Sequence, residues 1–264
     1  MSSTVRLSVS SVAAAAGTLA LGLALILRHR TRARKQKPSV GFIFDLDGTL
    51  LDFEGASHDA LNAPLLRFGK HVDWRLHASI CGKPAHAWSK EILEALNVTE
   101  ISPEQYAEEW HDYILRAFPT MRLLPGALSI VERAQNRYGH SVVAIATSSE
   151  RKNFDAKMSF HPHLVAHIDQ VVTGDEIPRG KPNPDIFIEA ARRIGVPPSR
   201  CIVFEDSPAG ALGGKRAGCL VVAIPDDRMV GIESAFQVAD VVVRSLEEID
   251  DTALDGLVAR VTVE

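Results

Sequence analysis

The sequence predicts an α/β fold: a doubly wound parallel sheet with an all-helical insertion after its first strand, preceded by an N-terminal apolar helix. Three observations carry that expectation. Short, continuous β-branched runs alternate with helical stretches, as in parallel strands covered on both faces. The interval 53–124 contains no such run, yet it holds all three tryptophans (Trp74, Trp88, Trp110). Residues 12–27 carry no charge at all.

That first segment, "VAAAAGTLALGLALIL", spans about 24 Å as a helix, somewhat short of a ~30 Å hydrocarbon layer, a mismatch that local thinning absorbs. The basic run "RHRTRARKQK" follows it, the reverse of the order in a cleaved secretory signal. Such a flank resists crossing a membrane. Residues 1–38 are therefore expected to be an apolar segment and basic linker, attaching the protein to a membrane through residues 12–27 with the folded body in the cytosol. Organelle (mitochondrial) import and a soluble cytoplasmic protein are the alternatives.

With 264 residues, 46% hydrophobic and 23% charged, the chain is long enough for one large domain or two small ones. Residues 1–44 hold seven of the 29 basic residues and no acid, leaving 22 basic against 33 acidic in the remainder. An acidic body of this kind argues against nucleic-acid binding. Cys81, Cys201 and Cys219 are scattered, which points to a reducing compartment rather than a disulfide framework. Cys201 and Cys219 abut apolar runs and read as buried thiols.

Strands are expected at 40–44, 141–146, 170–172, 201–204, 220–224 and 241–243. Between the third and fourth, Phe187, Ala190, Ala191 and Ile194 form a helical stripe, opened by Asn183 and Pro184 and closed by Gly195. In the insertion, Trp88, Ile92 and Leu96 make one stripe; Tyr106, Trp110, Tyr113 and Phe118 make another. The second begins at "SPEQ", with Ser102 as N-cap, Pro103 in the first turn and Gln105 three residues after the serine. These boundaries give a core of 39–52 and 125–264 and a helical unit of 53–124, with hinges near 52–54 and 124–126.

Polar residues gather just past four of the strands, where an open α/β sheet places its ligands. They are "DLDGT" (Asp45, Asp47, Thr49), "ATSS" (Thr147, Ser148, Ser149), "GKPNPD" (Lys181) and "FEDSPAG" (Glu205, Asp206). Singly, each fits a turn or a helix cap. Together, in this order, they point to one site. Asp45 and Asp47 at the mouth of a buried strand also require a cation close by.

This set resembles the haloacid dehalogenase-like (HAD) superfamily over residues 40–246, in the arrangement with a helical cap in the first insertion position (C1). The resemblance implies a Rossmann-like core. It also implies a catalytic nucleophile, Asp45, forming an aspartyl-phosphate, and a general acid and base, Asp47. Mg²⁺ would be held by Asp45, the Asp47 carbonyl and Asp206, with Glu205 as a further ligand or support behind them. Thr147, the Ser148 N–H and Lys181 would bind phosphate. An aspartate at position 47 suits phosphate esters, whose leaving group needs a proton. In the cap, "CGKPAHAW" is similar to the substrate-facing loop of phosphatase relatives, with Gly82 and Lys83 directed at the substrate.

More narrowly, "ATSSERKNFDAKMSFH", "GDEIPRGKPNPDIF" and "VFEDSPAGALGGKRAG" look like the branch containing pseudouridine-5′-phosphatase, glycerol-3-phosphatase and 2-deoxyglucose-6-phosphatase. The family usually reads "LLDTE" where this chain has "LLDFEG", so Phe53 stands in the flap that the substrate passes. The implied function is Mg²⁺-dependent hydrolysis of a small phosphomonoester (nucleotide, polyol or sugar phosphate) by a monomer. A phosphosugar mutase is the alternative, although the arginine typical of the mutase cap loop is missing. A membrane-tethered scaffold without catalysis is the other. His161, His163 and His167 read as a surface segment rather than a metal site.

Overall fold

The computed structural model describes residues 39–81, 83, 85–139, 142–228 and 233–262. The expected apolar helix at 12–27 and the expected substrate-facing Gly82 lie outside the described residues. Among the described residues no helix is long and apolar enough to cross a membrane, so nothing found supports the anchor.

The chain opens with strand β1 (Gly41–Phe44), then runs through four helices: α1 (Phe53–Asn62), α2 (Trp74–Ile80), α3 (Ala85–Leu96) and α4 (Pro103–Ala117). Helix α5 (Ala127–Tyr138) leads into β2 (Val143–Ala146), α6 (Arg151–Met158), the single turn α7 (Pro162–Val165) and β3 (Gln170–Val172). Then come α8 (Asp185–Ile194), β4 (Cys201–Glu205), α9 (Pro208–Ala217), β5 (Leu220–Ala223), β6 (Val241–Val242) and α10 (Asp251–Thr262).

The six strands pair in parallel in the order β3-β2-β1-β4-β5-β6, which places β1 in the interior of the sheet. All six stand where expected, with ends moved by one or two residues. All four residues of β1 are buried, as the unbroken apolar run "GFIF" requires. Alternate side chains supply the two faces. Phe42, Phe44, Ile145 and Phe204 belong to one apolar cluster, and Ile43, Ala144, Val203 and Phe187 to the other. Helix α8 follows its signals, running from Pro184 as N-cap to Gly195 in the left-handed region at φ 77°. Cys201 and Cys219 are buried, as their apolar flanks predicted.

Helices α1 to α4 enclose a third apolar cluster that includes Leu61, Val72, Trp88, Ile92 and Tyr106. The indole of Trp88 meets Tyr106 and Trp110 edge-on at 5.6 and 5.4 Å, so the aromatic stripes serve mainly as core. The capping box at Ser102 and Gln105 forms as expected. This segment leaves and rejoins the sheet through a short ribbon. Leu51 bridges Leu123 in antiparallel fashion, Asp52 N–H donates to the Arg122 carbonyl at 2.9 Å, and Leu124 N–H donates to the Leu50 carbonyl at 2.9 Å.

Candidate active site

The register of β1 against β4 pairs Phe44 with Phe204, so the next residues, Asp45 and Glu205, emerge side by side. The Phe44 and Phe204 rings stack 4.5 Å apart behind these residues in the chain, and Asp45 N–H donates to the Phe204 carbonyl at 2.9 Å. Lys181, from the loop before α8, reaches between the two carboxylates. Its Nζ donates to Asp45 Oδ1 and, at 2.5 Å, to Glu205 Oε1. Burial pushes Asp45 up to about 7, against the pull of Lys181. Burial alone would discharge Lys181, but Asp45 and Glu205 outweigh it and hold the ammonium above the ordinary lysine range. Glu205 has both oxygens engaged, because Oε2 accepts from Ser207 N–H at 2.9 Å and Oγ at 2.8 Å.

Asp206 is placed differently. It accepts from Thr49 Oγ1 at 3.1 Å, and no cation pairs with it among the described residues. Its carboxyl lies well above the usual range because of burial and then the neighbouring Glu205 and Asp45. The backbone comes unusually close here. Gly48 has φ +88°, and a Cβ on it would sit 2.0 Å from Asp206 Oδ2. A Cβ on Gly210 would sit 1.8 Å from Glu205 Oε1, so the first turn of α9 also requires glycine.

Asp47 points toward the end of β2. Its carboxylate accepts from Lys157 Nζ at 2.6 and 2.5 Å and from Ser149 Oγ at 2.7 Å, and Lys157 also donates to Ser149 Oγ at 2.9 Å. Thr147 is buried and accepts from Ser149 N–H at 3.1 Å, while Ser148 is exposed beside it. The structure thus brings Asp45, Lys181 and Glu205 into direct contact, with Asp206 beside Glu205. It places Asp47 in a second, adjoining cluster with Ser149 and Lys157. Lys83 stands apart from both, pairing with Glu91 at 2.5 Å on the exposed side of the helical segment.

Sequence reasoning assigned nothing to Lys157 or to the Ser149 hydroxyl. Lys157 is only 1% exposed and lies on the inward face of α6 beside Phe154 and Met158. That position, three residues after one apolar anchor and one before the next, was the available signal. Arg228 was missed too. It donates to Asp52 at 2.7 Å and to Asp226 at 2.5 Å, and covers the Trp74 ring at 4.9 Å, joining the end of β5 to α1 and α2.

A 360 Å³ cleft lined by Gly48, Thr49, Asp52, Pro125 and Arg228 flanks the site on the Asp206 side. A smaller cavity of 180 Å³ lies in the helical segment, lined by Phe53, Glu54, His77, Cys81, Lys83 and others. Phe53 joins this cavity to the Asp47 cluster, its ring lying 5.3 Å from Lys157 Nζ. Burial pushes Glu54 up to about 7 and His77 down to about 4, which holds the imidazole neutral at neutral pH.

The profile of the haloacid dehalogenase-like hydrolases matches residues 41–218. The chain is 35% identical over 210 residues to (DL)-glycerol-3-phosphatase 2 of Arabidopsis thaliana, covering 77% of this chain and 86% of that protein. It is 32% identical over 179 residues to fructose-1-phosphate phosphatase of Escherichia coli, covering 68% and 93%. In fold it is similar to a HAD family hydrolase from Deinococcus radiodurans R1 solved with bound phosphate and sodium. That match has a TM-score of 0.70 and 22% identity, over 84% of this chain and 98% of the other.

Proposed function

Because the chain belongs to the haloacid dehalogenase-like hydrolases, and is a phosphoric monoester hydrolase of small phosphorylated substrates, we propose that Asp45 is its nucleophile and Mg²⁺ its cofactor. The observation that carries this reading is the meeting of Asp45, Lys181 and Glu205 at adjacent strand tips. An Asp45 oxygen attacks phosphorus while the bond from phosphorus to the alcohol oxygen breaks, leaving an aspartyl-phosphate. Asp47, oriented by Lys157 and Ser149, gives the departing alkoxide its proton. It then takes a proton from the water that attacks the intermediate, which releases phosphate and regenerates Asp45. Lys181 balances charge on the transferring group, and Thr147 and the Ser148 N–H receive its oxygens.

The donor set fits a hard dication. Asp45, Glu205 and Asp206 share the strand tips with Lys181, and among the described residues Asp206 has only a hydroxyl for a partner. Asp45, the Asp47 carbonyl and Asp206 would hold Mg²⁺, with Glu205 supporting them through Lys181 and Ser207. When bound, the ion would offset the repulsion between carboxylate and phosphate. Residues 53–124 would act as a cap, its cavity lined by Phe53, Glu54 and Lys83 among others.

Small polyol and sugar phosphates are the proposed substrates, because glycerol 3-phosphate and fructose 1-phosphate appear in the names of relatives above 30% identity. The test is phosphate release by the full chain from glycerol 3-phosphate, fructose 1-phosphate and pseudouridine 5′-phosphate, with Mg²⁺ and with EDTA. Release that persists in EDTA overturns the metal assignment. A flat profile across the panel overturns the substrate class.

A further inference from the structure

Beyond the strand-tip site, the helical segment brings together three side chains of a different chemical character. His77 and Cys81 lie four residues apart, on one face at the end of α2. Glu54 comes from the first turn of α1. One Glu54 oxygen is 3.3 Å from His77 Nε2. The carboxylate oxygen, the imidazole nitrogen and the Cys81 sulfur all lie within 4.8 Å of one another. Around a tetrahedral zinc ion such atoms stand about 3.3–3.8 Å apart, so the Glu54–His77 spacing already fits and the sulfur needs at most about 1 Å of closure.

We propose that Glu54, His77 and Cys81 form a binding site for a soft divalent cation of the zinc class, distinct from the strand-tip carboxylates. Four features of the surroundings support it. The other nitrogen of the His77 ring meets His58 Nδ1 at 3.3 Å, the outer hydrogen bond that orients a metal-ligating imidazole. A carboxylate, a thiolate and a dication sum to zero charge, which suits a half-enclosed position. The same three residues line the 180 Å³ cavity, which leaves room for a fourth ligand from solution. Trp110 Nε1, on the wall of that cavity, is a buried donor with no partner among the described residues. The ligand types discriminate as well: sulfur and imidazole select zinc or cobalt, whereas the all-oxygen set at Asp45 and Asp206 selects magnesium. Binding releases the Cys81 thiol proton, and any Glu54 proton, to solvent.

The test uses the chelator-stripped full chain in excess Mg²⁺, titrated with Co²⁺. A thiolate-to-cobalt charge-transfer band should appear at one equivalent and disappear when Zn²⁺ is added. Cys81→Ser should abolish the band, Glu54→Gln should weaken cobalt binding, and His58→Phe should weaken it by about 10- to 100-fold. In the intact wild type, Zn²⁺ should also protect Cys81, the exposed cysteine, from alkylation read by mass spectrometry. The proposal is overturned if no band appears, if the band survives in Cys81→Ser, or if Zn²⁺ leaves the alkylation rate unchanged.

Discussion

At the tips of β1, β2 and β4 three of four carboxylates are matched to a lysine across elements, Lys181 to Asp45 and Glu205 and Lys157 to Asp47, while Asp206 meets the Thr49 hydroxyl. In the helical segment the buried polar groups face one another in neutral form. His58 meets His77, Asn62 bonds the Val72 backbone at 2.8 and 3.2 Å, and Tyr106 gives its hydroxyl proton to the Leu61 carbonyl at 2.7 Å. The sheet end stores charge in fixed positions, as phosphoryl chemistry needs. The helices store shape and hydrogen bonds. Changes at the tips should therefore damage turnover out of proportion to stability, and changes in the helices the reverse.

The most severe test is Asp45→Asn, expected to lower phosphate release by about 10⁴-fold or more while the cooperative melt survives. A residual rate within tenfold of wild type would break the comparison at its strongest point. Lys157→Met comes next. It strips Asp47 of its cation, and kcat should fall by about 10³-fold with KM little changed and the pH–rate profile displaced. An unaltered profile would mean that Lys157 only fills space.

Glu54→Gln probes the helical side in chelator. With its carboxyl raised by burial from 4.5 to about 7, the wild type holds a stability contribution at low pH and loses it as pH rises through about 7. Relative to the variant, wild-type stability should thus decline between pH 4.5 and 7, by up to about 3 kcal/mol. A flat difference across that window in paired thermal melts would refute the buried-acid reading. Tyr106→Phe removes the hydrogen bond to the Leu61 carbonyl and should cost about 1–2 kcal/mol in denaturant unfolding, with kcat kept. Lys83→Ala breaks only an exposed pair and should move stability by less than about 1 kcal/mol, with any effect confined to KM.

The legible parts of the molecule were those whose meaning is local in sequence. Asp45, Glu205 and Asp206 stand where an apolar run ends, Lys181 lies in the "GKPNPD" stretch, and the six strands announce themselves by apolar continuity. Lys157 was not legible, because a lone lysine in a helix ordinarily faces water and its partner lies 110 residues away. Glu54, His77 and Cys81 were hidden for a related reason: their proximity depends on how α1 crosses α2, which no periodicity encodes. Phe53 was flagged as a departure at the flap, but its place beside Lys157 emerged only from the packing. Helix α10, with Leu254, Leu257 and Val261 buried, was not singled out either.

The ribbon at Leu51 and Leu123 has a further consequence. Its two strands leave the sheet side by side, about 5 Å apart, so the sheet experiences everything between them as a single loop of fixed aperture. An intervening stretch of another length or architecture, provided its ends match that aperture, can be spliced in without altering the register of β1.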